Sequence, residues 1–139
     1  MKILTFQAKR FWWKAWSQTL GDADTAPVEN GADEAVVAFL HAETCDEADE
    51  DSHRRVFKYT LKHLKWLANK RGFTNIVLHS FTHLGADNAS SDWARTFISD
   101  MAERLGSTGY EVKTTPFGWF CEWDLSVYGE SLAKVWKEI

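Results

Sequence analysis

The chain has 139 residues and a formal net charge of −4 at pH 7. That length fits one domain, residues 1–139, which removes roughly two thirds of its unfolded surface from water without staples. The acidic balance excludes a nucleic-acid binder that works by charge alone, since Asp46-Glu47-Ala48-Asp49-Glu50-Asp51 repels a phosphate backbone within a Debye length.

Two cysteines, Cys45 and Cys121, lack C-x-x-C or zinc spacing, so reduced thiols are expected, with no disulfide framework, no structural metal and no cofactor. Lys9, Arg10 and Lys14 break up the N-terminal stretch, and no run of about 18 apolar residues could span a bilayer. A soluble, cytoplasmic protein without membrane contact is expected.

In chain order, residues 2–6 read as a strand, and residues 10–16 as a second strand or an aromatic, turn-rich segment. Gly, Asp, Asn, Ala and Pro27 across residues 21–33 predict a long loop, the most mobile part of the chain. Residues 34–40 are a continuous apolar strand. The acidic block then leads into a helix capped by Asp51 or Ser52, with Val56, Tyr59, Leu64 and Leu67 on its buried side and Gly72 as its stop. Lys58, Lys62, Lys65, Lys70 and Arg71 accompany that helix, the first of them spaced to share a face that is either a solvated surface or a nucleic-acid contact.

Residues 75–79 read as a buried strand, central in the sheet, that ends at a histidine loop, residues 80–88; strand ends are where α/β sheets hold ligands. A second helix is predicted over residues 91–105, capped by Ser90 or Ser91, with Trp93, Phe97, Met101 and Leu105 on one apolar face and Gly106 and Gly109 closing it. Residues 110–113 and 119–127 are strands joined through Pro116-Phe117-Gly118. In the latter, Trp119, Cys121, Trp123, Leu125 and Val127 alternate with Phe120, Glu122, Asp124 and Ser126, one face core and the other wetter. A short helix from Glu130 finishes the chain. The alternation of strands and helices is that of an α/β layered sheet.

Among the eight tryptophans, Trp93, Trp119, Trp123 and Trp136 fall on predicted apolar faces. Trp12, Trp13 and Trp16 suit either a subunit interface or a contact with the end of a nucleic acid, where bases stack on aromatic rings. His41, His53, His63 and His79 lack the loop context of His83, and His53 and His63 read as helix-surface residues.

Three segments together resemble a known family. They are Ser80-Phe81-Thr82-His83-Leu84, Thr115-Pro116-Phe117-Gly118-Trp119-Phe120 and Gly129-Glu130-Ser131-Leu132-Ala133-Lys134. Their order and spacing are similar to the editing domain of archaeal threonyl-tRNA synthetases, whose versions read roughly F-A-H-L, P-F-G-Y-Y-K and G-H-P-L-A-E. The resemblance implies a D-aminoacyl-tRNA deacylase-like fold, a homodimer, and hydrolysis of serine wrongly esterified to threonine tRNA. It implies the aminoacyl-tRNA 3′ end and a threonyl-tRNA synthetase as partners, and puts His83 beside the esterified ribose, with Ser80, Phe81, Thr82, Phe117, Gly118 and Phe120 around the substrate.

The chemical need can be stated independently. A missing methyl is worth only about 1–3 kcal/mol, so a second, hydrolytic pocket must remove serine. It needs a positioned water, a base or orienter, and a cation or N–H donor facing the developing oxyanion. The chain departs from the family where these groups sit. Trp119, Phe120 and Cys121 replace two tyrosines and a lysine, Lys134 replaces a glutamate, and Ser80 and Thr82 replace proline and alanine. Lys134 is therefore either a relocated cation working with His83 or an exposed lysine. Cys121 is either a thiolate nucleophile or a small apolar filler. Two functions stay open: an editing deacylase acting in trans, or a non-hydrolytic module binding an aminoacyl-adenosine-like ligand, a tRNA end or a partner synthetase.

Overall fold

A computed structural model describes residues 1–25 and 29–139. The predicted loop over residues 21–33 includes residues 26–28, which lie outside the described residues. Its last part is not a loop, because β2 (Glu29–His41) begins there and pairs with β1 (Lys2–Gln18). The remaining elements are α1 (Glu50–Arg71), β3 (Asn75–Ser80), α2 (Ser91–Gly106), β4 (Glu111–Thr114), β5 (Trp119–Val127) and β6 (Lys134–Glu138).

The six strands among the described residues form one sheet in the order β4-β3-β2-β1-β5, with β6 also on β1. β2, β3 and β4 run parallel, while β1 is antiparallel to β2, β5 and β6. The free edge of β1 is shared: β6 pairs with Lys2 to Phe6, and β5 takes over from Ala8 onward. β3 is an interior strand one place from the edge, not at the centre as the sequence suggested.

One face of the sheet packs on the helices. Ile3, Val36, Leu40, Ile76 and Leu78 meet Val56, Leu64 and Leu67 of α1 and Phe97, Met101 and Leu105 of α2. Polar groups on this face are satisfied by α1: Gln7 Nε2 donates to the Leu67 carbonyl at 2.9 Å, and Thr5 Oγ1 lies 3.3 Å from His63 Nε2. His63 is thus a buried core histidine and not a helix-surface residue.

The other face carries Ala8, Phe11, Trp13, Val37, Phe39 and Val77. In an unbroken strand, Ala8 and Phe11 would point to opposite sides. A register shift against β5 between Ala8 and Arg10, beside Glu34 of β2 at φ 49°, resets the alternation. Residues 10–16 are therefore the continuation of one long strand, and the same shift buries Trp13 in the core, which removes it from any interface. Trp16 is 73% exposed, while Trp123 and Trp136, expected in the core, are 41% and 54% exposed.

Three local expectations change for clear reasons. The cap of α1 is Asp49, whose carboxylate accepts the Ser52 amide at 2.7 Å and is held below the ordinary carboxylate value by it. Tyr59 is exposed, with the Lys58 and Lys62 ammonium groups each 5.9 Å from its ring centroid. The segment expected as a final helix is a 3-10 turn, Ser131–Ala133, followed by β6. The vacant edge of β1 supplies a ladder partner there, and Val135 packs into the helix-side core while its carbonyl accepts the Thr5 hydroxyl at 2.9 Å. Arg71 ties the α1 terminus to this region through Gln7, Glu130 and the Tyr128 ring, 3.6 Å away. Among the described residues, no helix is long and apolar enough to cross a membrane.

Candidate active site

Parallel strands β2 and β3 end side by side, Leu40 opposite Ser80. Beyond those ends lies a cavity of about 410 Å³. The histidine loop supplies Ser80, Phe81, Thr82 and His83 to its wall, and the Pro116-Phe117-Gly118 turn with the start of β5 supplies Phe117, Gly118, Phe120 and Cys121. Eight of the nine residues singled out from sequence meet there. Lys134 does not: it opens β6 opposite Phe6 and is exposed.

The histidine loop is held by groups far away in sequence. The Phe81 amide donates to the Leu40 carbonyl at 2.9 Å and the Ala89 amide to the Ala42 carbonyl at 3.0 Å. His41, fully buried at the end of β2, accepts the Leu84 amide at Nδ1, 3.0 Å away. Its Nε2 must then carry the proton, which it donates to the Asp87 carbonyl at 2.6 Å. Thr44 in turn gives its hydroxyl and its amide to the Asp87 carboxylate. His83, at the loop's crest, is exposed and stands edge-on to Phe81 with ring centroids 5.2 Å apart.

The opposite wall is pinned by Asp24. The Phe117 amide donates to its carboxylate at 3.2 Å, the Trp119 indole to its carbonyl at 2.9 Å, and Arg95 to its other carboxylate oxygen at 3.3 Å. Gly118 has φ +80°, and its carbonyl receives the Thr19 and Leu20 amides at 2.8 and 3.3 Å. A Cβ at that position would meet Ala23 Cβ at 2.9 Å, so only glycine fits the turn.

The floor holds a residue that sequence reading set aside. His79, the next-to-last residue of β3, lines the cavity with its ring amid Phe39, Phe81 and Trp123, at centroid distances of 4.7, 5.8 and 6.4 Å. Its Nδ1 is 2.8 Å from Thr115 Oγ1. Burial disfavours the imidazolium and pushes its pKa down to about 4, so the ring is neutral at pH 7. Only the strand-end position signalled it in the sequence.

The described residues lining the cavity include no carboxylate, lysine or arginine. Its chemistry is two imidazoles, a thiol, neutral hydroxyls and amides, and aromatic rings. Burial pushes the Cys121 thiol above its ordinary value, and among the described lining residues no lysine or arginine draws it down, so the thiolate needed for nucleophilic attack is disfavoured.

Known proteins resemble this chain along its whole length. The model of a family described as the Archaea-specific editing domain of threonyl-tRNA synthetase matches residues 1–139. The chain is 30% identical to a threonine–tRNA ligase of Methanosphaerula palustris over 141 residues and 31% identical to one of Staphylothermus marinus over 143 residues. Each comparison covers 100% of this chain and 22% of the relative, so the chain spans about a fifth of the curated relatives' length. Among solved structures, it superposes on the c-Myc DNA Unwinding Element Binding Protein with a TM-score of 0.67 at 12% identity, covering 100% of this chain and 99% of that one, a likeness of fold. The fold class is the expected one, an α/β layered sheet of the D-aminoacyl-tRNA deacylase-like kind.

Proposed function

Because the chain belongs to the family of Archaea-specific editing domains of threonyl-tRNA synthetase, we propose that it is an aminoacyl-tRNA deacylase that removes serine wrongly esterified to threonine tRNA, working with a threonyl-tRNA synthetase. The observation that carries this reading is the convergence of the histidine loop and the Pro116-Phe117-Gly118 turn on one cavity at the strand ends. Neutral polar groups and aromatic rings suit a terminal adenosine and a small amino acid joined by an ester. The tRNA 3′ end is the part of the substrate this acidic chain would hold, and a homodimer in the cytoplasm is the form in which we expect it to work.

Hydrolysis adds the oxygen of water to the ester carbon, breaks the bond from that carbon to the ribose oxygen, and leaves a proton on that oxygen. His83, at the rim and open to solvent, is suited to orient the water or take its proton. For serine to be removed and threonine kept, the cavity wall must reject threonine by size.

A second reading, a binding module that has lost hydrolysis, is favoured by the lack of any lysine or arginine among the described lining residues. Incubation of the purified chain with seryl-tRNA(Thr) and threonyl-tRNA(Thr) separates them. Release of serine but not threonine supports the deacylase. Tight binding of the charged tRNA end without release supports the module.

A further inference from the structure

We infer that His79 is the electrophilic group of this site, its Nε2–H donating a hydrogen bond to the ester carbonyl of the bound aminoacyl group. The inference rests on the deacylase reading and names the donor that reading requires.

The tautomer follows from the hydrogen-bond network. Thr115 is buried, and its hydroxyl hydrogen has no partner among the described residues other than His79 Nδ1, 2.8 Å away. A buried hydroxyl donates where it can, so Thr115 gives its proton to Nδ1. A neutral imidazole accepting at Nδ1 carries its hydrogen on Nε2. Nε2 makes no hydrogen bond within the described residues, yet it is not among their sealed, unpaired buried atoms, which are Thr60 Oγ1 and Arg95 Nε. It is therefore open, and the space beside His79 is the cavity.

The site leaves few other candidates for this work. Ester hydrolysis builds negative charge on the carbonyl oxygen, and among the described lining residues there is no ammonium or guanidinium to meet it. His83 is exposed on a loop, whereas His79 is locked by Thr115 and by the Phe39, Phe81 and Trp123 rings. A donor fixed in a water-poor setting before the reaction is what stabilises an oxyanion best. The ring stays neutral throughout: it shares its Nε2 proton with the carbonyl oxygen and keeps it, while the proton that ends on the ribose comes from the attacking water. Its low pKa keeps the ring neutral at pH 7.

The test uses the full chain. In single-turnover deacylation of seryl-tRNA(Thr), His79→Phe, which fills the same aromatic cage without a donor, should lose about a hundredfold to a thousandfold in rate with half-saturation little changed. Thr115→Val, which frees the tautomer without touching the ligand, should lose less. A folded His79→Phe as fast as wild type overturns the inference and leaves the deacylase reading intact. Independently, ¹⁵N spectra of histidine-labelled protein should show His79 protonated at Nε2, and that proton should shift on adding a seryl-adenosine amide that cannot hydrolyse. If the wild type turns over no seryl-tRNA but the Nε2 proton shifts, the donor assignment stands and the deacylase reading fails. An Nδ1-protonated ring, or no shift at saturating analogue, overturns the inference whatever the turnover.

Discussion

His41 grips Asp87 across the mouth of the histidine loop: its Nε2–H donates to the Asp87 carbonyl at 2.6 Å while its Nδ1 takes the Leu84 amide at 3.0 Å. One buried ring at the end of β2 thus satisfies two backbone groups in the part of the loop that follows His83. A loop that leaves a strand would otherwise leave these groups to water.

Replacing that ring should loosen the loop before it loosens the fold. His41→Leu keeps the apolar volume but strands the Leu84 amide and the Asp87 carbonyl, costing about 1–3 kcal/mol for a group left unpaired. Urea unfolding should show that loss, hydrogen exchange at Leu84 should speed up, and deacylation should fall with it. An unchanged exchange rate at Leu84 would show that the loop holds itself.

Sequence reading reached the site through local chemistry. The Ile76-Val77-Leu78 run, the histidine loop after it and the Pro116-Phe117-Gly118 turn all announce themselves within a few residues, and the structure brings the loop and the turn together around the cavity at the end of the strand that the run forms. Pairing between distant segments was not legible. Gly129 to Lys134 opens like a helix, yet the free edge of β1 and the Val135 side chain make the following residues a strand. Trp13 suits an interface or a tRNA-end contact on sequence alone, because the shift that buries it depends on β5. His79 and His41 looked unremarkable because their partners, Thr115 and Asp87, lie far along the chain.

Stability should depend on pH through two buried imidazoles. His79 and His63 titrate at about 4 rather than 6.5 because burial disfavours their charged forms, with Lys137 adding to the effect on His63. The unfolded chain binds these protons near pH 6.5 while the folded one refuses them until about pH 4, so stability is full above pH 6.5 and falls as the pH drops through that window. A tenfold change in proton affinity corresponds to about 1.4 kcal/mol, so the enclosed His79 ring contributes about 3 kcal/mol across the window and the less enclosed His63 contributes less. Asp49 and Asp87, held below the ordinary value by the Ser52 amide and the Thr44 hydroxyl, withdraw their share only at lower pH. Urea midpoints between pH 7 and pH 5 should therefore decline in the wild type and decline at most about half as steeply in His79→Phe. Equal slopes would mean that His79 takes up its proton over the same pH range in the fold as in the unfolded chain.

Gly118 should tolerate no side chain. At φ +80° a Cβ costs about 1–2 kcal/mol through the backbone alone, and the new carbon would sit 2.9 Å from Ala23 Cβ. Gly118→Ala should lower the thermal midpoint and shift the Trp119 indole signal, because the Asp24 contact that receives that indole lies in the same turn. Normal stability with an unshifted indole would show that the turn can relax around the methyl.

The division of work within the cavity is testable with three variants of the wild-type chain on seryl-tRNA(Thr). His83 lines the cavity from its rim and is suited to handle the water, so His83→Ala should slow hydrolysis by at least about tenfold. Lys134, expected from the sequence as a relocated cation, opens β6 beside Phe6 and lines no part of the cavity, so Lys134→Ala should change the rate little. Burial raises the Cys121 thiol pKa and leaves it a neutral filler, so Cys121→Ser should also stay near wild type. A Lys134→Ala variant slowed as much as His83→Ala would restore the cation to the mechanism and require a second copy of the chain, or a movement of β6, to bring it in. Loss of turnover in Cys121→Ser alone, with an acyl group found on Cys121 by mass spectrometry in the wild type, would replace direct attack by water with a covalent intermediate.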